Sequence, residues 1–195
     1  MIILAWAEKG IVGRGVLVDY YTWALEHAPY NPMEQYSIPF SNLQECIRSQ
    51  NLTFRKGDIL IVRSGFTVAY DKLDIPAREA KAAVNPAHFA GVEQSEEVLE
   101  WIWENQFAAI AGDAVGFECW RITLSERADL VATKRDYAMH EVFLAGWGMP
   151  IGEMFYLEKL AEECRRLRRW TFFFTSEPLN VNGGVASPPN ALAIL

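Results

Sequence analysis

Three short apolar runs, at residues 14–20, 59–63 and 107–111, constrain the fold of this chain more than any other feature. Each is rich in β-branched or aliphatic side chains, is too short for a stable helix, and borders a glycine turn: Gly13-Arg14-Gly15, Lys56-Gly57-Asp58 and Gly112-Asp113. Runs of this kind are buried strands. Helix signals lie between them. Ser41 can cap a helix over residues 42–50 with Leu43 and Ile47 on one face. Ser95 followed by Glu96 and Glu97 opens another, with Val98, Leu99, Ile102 and Trp103 expected inward. Alternating strands and helices predict an α/β fold, a mixed sheet with flanking helices.

The remaining chain fits this frame. Pro29, Pro32 and Pro39 make residues 28–40 a long loop, and the Ala- and Lys-rich stretch 71–90 reads as a surface excursion. Residues 121–135 are polar, and residues 136–144 read as helical with His140 near the middle. Leu157, Leu160, Ala161, Cys164 and Leu167 recur at helical spacing, so residues 156–169 form the clearest helix, its basic end opposing the helix dipole. Residues 170–175 are a last strand. With 195 residues and no repeat or linker, residues 1–195 are expected to form one domain.

Charge narrows the partners. Twenty-five acidic against 18 basic side chains give a net charge of -7, which removes the electrostatic term behind most nucleic-acid affinity and disfavours anionic membranes. Cys46, Cys119 and Cys164 lack metal or redox spacing and read as reduced core thiols. The apolar start meets Glu8 and Lys9 too early for a signal peptide or membrane span, so a soluble, cytoplasmic protein is expected. Seven Trp among 13% aromatics suit core and interface packing, or a pocket for an aromatic or polyketide-like ligand.

Few residues offer chemistry. Of the three histidines, His27 and His88 sit in loop-like context. His140 and Glu153, separated by a Gly-Trp-Gly turn, can bind a divalent metal or share proton-transfer work if they meet, and are otherwise an unrelated pair. Asp113 after a strand and glycine can face a pocket or cap the next turn. Glu118 and Asp19 carry less weight. Arg14 can bind an anionic substrate group or pair with an acid, the latter being the simpler reading. Ser64 and Phe66 end a strand where α/β proteins place ligand loops. Asn180, Asn182 and Gly183-Gly184 form a loop that suits either close backbone approach to a ligand or a bulged turn.

Taken in order, Gly13-Arg14-Gly15-Val16-Leu17-Val18-Asp19-Tyr20, Lys56-Gly57-Asp58-Ile59-Leu60-Ile61-Val62-Arg63-Ser64-Gly65, Ala111-Gly112-Asp113, the His140 to Glu153 element and the Asn180 to Asn190 tail resemble the cyclase family of metal-dependent hydrolases, and its fungal branch most. That family includes kynurenine formamidase and isatin hydrolase. The resemblance implies a swivelling β/β/α fold, His140 and Glu153 in the metal and catalytic cluster with Zn or Mn as cofactor, and Trp147, Asn180 and Asn182 along a pocket wall; apolar surface left by a missing front part, with the aromatic excess, adds the expectation of a homodimer. The family's His-rich motif with Gly-Thr-His and Asp precedes the first strand, whereas only thirteen residues without His or Asp precede Arg14 here, so an N-terminally truncated family fold is expected. Two ligands are fewer than a catalytic zinc site uses. The functions that follow are hydrolysis of an amide, lactone or related carbonyl of a small aromatic or polyketide metabolite; metal-independent isomerisation, cyclisation or dehydration in fungal secondary metabolism; or a non-catalytic remnant that binds a ligand or stabilises a partner.

Overall fold

The computed structural model describes residues 8–84, 87–119, 138–179, 181–184 and 186–195. Its centre is a six-stranded sheet in the order β6-β5-β3-β1-β7-β8. Strands β1 (Ile11–Val18), β3 (Ile59–Val62), β5 (Ala109–Gly112) and β6 (Ile151–Gly152) run parallel. Strands β7 (Thr171–Ser176) and β8 (Ala191–Ile194) extend the β1 side antiparallel. A small parallel pair joins β2 (Tyr36–Ile38) to β4 (Ala90–Val92). This is the expected mixed sheet with flanking helices.

Strands β3 and β5 are apolar throughout because both faces are covered. On one side Leu43, Ile47, Val98 and Ile102, from α2 (Phe40–Ser49) and α5 (Glu96–Glu104), pack with Val18, Leu60, Val62 and Ile110. On the other, Ala161 and Cys164 of α6 (Glu158–Leu167) pack with Leu17, Ile59, Ile61, Phe172 and Phe174. Gly15 lets that second layer close, since a Cβ there would lie 2.3 Å from the Phe172 ring. All three cysteines are free and buried. Among the described residues no helix is long and apolar enough to cross a membrane.

Several boundaries differ from the sequence reading. The first strand ends at Val18 because Asp19 caps α1 (Tyr20–His27), accepting from the Thr22 N–H. The proline-rich loop contains β2, which pairs with β4, and the surface excursion contains α3 (Phe66–Asp71) and α4 (Ile75–Ala82). Ser95 caps α5 as expected, but Trp103 is 61% exposed and not part of the inward face. Ser41 lies inside α2, whose N-cap is Pro39. Strand β8 follows the Gly-rich tail. The polar segment 121–135 lies outside the described residues.

Candidate functional site

The parallel strands all end at one rim of the sheet, and Asp19, Arg63, Asp113 and Glu153 each follow such an end directly. This rim is where open α/β sheets place ligands. Two constructions stand on it.

The first joins His140 to two carboxylates. His140 Nδ1 lies 2.7 Å from both Glu118 carboxylate oxygens, and its backbone N–H donates to Glu118 Oε1 at 3.0 Å. On the other side of the ring, Nε2 is 2.9 Å from Glu153 Oε1. Glu118 is 1% exposed, His140 27% and Glu153 34%, so the trio runs from the interior towards solvent. The hydrogen bonds to Glu118 and then to Glu153 raise the imidazole pKa to about 10 against the opposing effect of burial. His140 is therefore an imidazolium at neutral pH.

Each member is held by local structure. Met139 and Phe143, on either side of His140 in sequence, are buried in the core, and His140 is the N-cap of a π-helical turn, Glu141–Trp147, that ends at left-handed Gly148. Glu118 is placed by a bridge to the end of β4, with Val92 N–H donating to the Phe117 carbonyl and Cys119 N–H to the Val92 carbonyl. Gly91 allows that approach, because a Cβ there would sit 2.3 Å from Glu118 and Cys119 backbone atoms. Glu153 follows β6, where Ile151 and Gly152 pair with Ile110 and Ala111, and the next two residues donate to Ala114 and Gly112 carbonyls.

The second construction fixes the rim itself. Asp113 is fully buried, and its oxygens accept from Ser64 N–H at 2.6 Å, Ser64 Oγ at 2.8 Å and Gly65 N–H at 2.8 Å. Burial pushes its pKa up, while the bonds from Ser64 oppose the rise. The Ser64 carbonyl accepts from Tyr30 Oη at 2.6 Å. Beside them, buried Arg63 spans Asp19 at 2.6 Å and Glu158 at 2.6 and 3.0 Å, and lies over the Tyr21 ring.

The structure thus brings His140 and Glu153 together. Asp113 and Ser64 anchor a turn, the carboxylate accepting from the Ser64 N–H and hydroxyl. Phe66 packs with Met33, Phe89 and Ala114. Arg14 is bidentate on Asp58 at 2.5 and 2.8 Å, the pairing that the simpler reading anticipates. Trp147 tilts against Trp103 and Phe143 and lines an apolar cleft of 240 Å³ with Gln106 and Met149. Asn182 is exposed, and Asn180 lies outside the described residues. Glu118 is the residue that sequence reasoning undervalued. Its signal is a lone carboxylate between Phe117 and Cys119, a setting in which a charge must find a partner.

As a metal site the trio fits poorly. Both imidazole nitrogens already face carboxylates, and among the described residues no group of three or more His, Cys, Asp or Glu side chains is arranged to hold a metal ion.

The fold is α/β, with a histidine-carboxylate cluster at the rim where its parallel strands end. The family model described as "Putative cyclase" matches residues 4–119, and the chain belongs to this cyclase family. The crystal structure of a novel cyclase is similar over 99% of this chain and 57% of its own, at 30% identity and a TM-score of 0.76. Isatin hydrolase A from Ralstonia solanacearum is similar over 94% of this chain and 60% of its own, at 19% identity and a TM-score of 0.62. Isatin hydrolase A from Labrenzia aggregata, in a complex with benzyl benzoate, is similar over 96% and 62%, at 18% identity and a TM-score of 0.62. The chain therefore spans less than two thirds of the length of these solved relatives. No curated protein sequence matches it.

Proposed function

We propose that this chain carries the acid-base machinery of a hydrolase acting on an amide, lactone or related carbonyl of a small aromatic metabolite. The observation that carries the reading is the imidazole of His140 held between the carboxylates of Glu118 and Glu153. Isatin hydrolases among the structural relatives point to the same substrate class, a cyclic amide on an aromatic ring.

In this scheme water attacks the carbonyl carbon and gives its proton to Glu153, the most exposed member. As the C–N or C–O bond breaks, the His140 imidazolium delivers its proton to the departing nitrogen or oxygen. The proton on Glu153 then crosses 2.9 Å to His140 and restores the starting state. Glu118 positions the ring and balances its charge throughout. Proton transfer of this kind contributes roughly 10² to 10⁴-fold in rate.

The test is hydrolysis of isatin, aryl formamides and aryl lactones by the wild type and by His140→Gln and Glu153→Gln. Ring opening by the wild type and its loss in folded His140→Gln are expected. A folded His140→Gln with full activity contradicts the reading. Isomerised rather than hydrolysed products would favour a metal-independent isomerase using the same trio. Near-stoichiometric metal removed by chelator together with activity would make His140 and Glu153 ligands instead.

The homodimer belongs to this proposal as well. Its support is an apolar sheet face: Val12, Phe173, Leu192 and Ile194 are 52–65% exposed, and the strand register sets them on one side.

A further inference from the structure

An open cleft of 590 Å³ lies near the C-terminal ends of α2 and α6, lined by Arg14, Gln50, Arg165, Arg168, Arg169 and Trp170 among others. It shares no lining residue with the His140 trio. Although acidic side chains outnumber basic ones by 25 to 18, no Asp or Glu among the described residues lines it.

Half of its positive charge has a structural partner. Arg14 is bidentate on Asp58, and Arg165 Nε lies 3.8 Å from Asp19. Arg168 and Arg169 form no side-chain ion pair among the described residues. Two helix ends point carbonyls at this region, but each amounts to about half a negative charge, so roughly one positive charge is left over. Trp170 adds an apolar lining residue beside Arg168 and Arg169. Two uncompensated guanidiniums in a cleft without acidic lining among the described residues present one kind of chemistry, and its complement is an oxyanion.

We propose that this cleft is a second ligand site, for a phosphate or carboxylate group carried on a small apolar body. The anion sits against Arg168 and Arg169, and its apolar part lies along Trp170. Planar guanidiniums match either oxyanion in a bidentate manner, and the charge of the whole chain disfavours a polyanion.

Calorimetric titration of the full chain with phenyl phosphate and with benzoate tests the site, and the tighter of the two identifies the anion. Binding is expected to weaken about tenfold or more in an R168A/R169A double variant, whose changed side chains are exposed. It should persist in His140→Gln, which separates this site from the catalytic proposal. Three outcomes overturn it: neither aryl anion binding at about 10 mM, binding unchanged in the double variant, or a DNA duplex binding more tightly than either aryl anion.

Discussion

An imidazole that meets a carboxylate at each ring nitrogen gives up its proton only well above its ordinary pH range, and for His140 the value is about 10. Because this folded value exceeds the ordinary 6.5, the stabilisation from its charge is complete below about 6.5 and is lost as pH rises through about 10. Thermal melts of the wild type and His140→Gln are therefore expected to differ most below pH 6.5 and to converge towards pH 10. Asp113 gives a second prediction at this scale. An amide cannot accept all three bonds from Ser64 and Gly65, so Asp113→Asn should cost about 1–3 kcal/mol by denaturant unfolding. His140 and Glu153 were legible as a pair because family motif and chemistry agreed. For Asp113 the sequence left a pocket-facing carboxylate and a turn cap open, because a strand-glycine-aspartate run does not show that two N–H groups from another strand end will occupy the carboxylate. Glu118 was passed over because its partner stands 22 residues away.

At the level of elements, the trio depends on the bridge between β4 and residues 117–119. Gly91→Ala places a Cβ against backbone, which cannot rotate away as a side chain would. A loss of about 1–3 kcal/mol is expected from such overpacking. The same variant should lower the His140 pKa, since Glu118 moves with the bridge. The buried strands β1, β3 and β5 were readable from continuous apolar runs bounded by glycine turns. Short β2 and β8 were not, because three or four residues carry too little periodicity and both depend on partners distant in sequence. The Trp103 error has a related cause: Val98 and Ile102 fill the inward face of α5, and the next residue on the turn points outward.

For the molecule as a whole, the exposed face of β1, β7 and β8 is the main unbalanced surface. Phe172 and Phe174 point into the core while Phe173, between them, is 52% exposed, so alternation along one strand separates packing from interface. If this face closes a homodimer, Leu192→Glu together with Ile194→Lys should convert the protein to monomer in sedimentation velocity without changing its far-UV spectrum. A wild type that sediments as monomer at every concentration would contradict the dimer.

The most direct measurement of the catalytic account is a ¹⁵N NMR titration of the imidazole of His140, assigned by its loss in His140→Gln. The account predicts a doubly protonated ring through pH 8, with the proton leaving near pH 10 and at clearly lower pH in Glu118→Gln. A ring that is neutral at pH 7, or one whose titration ignores the Glu118 substitution, would contradict it.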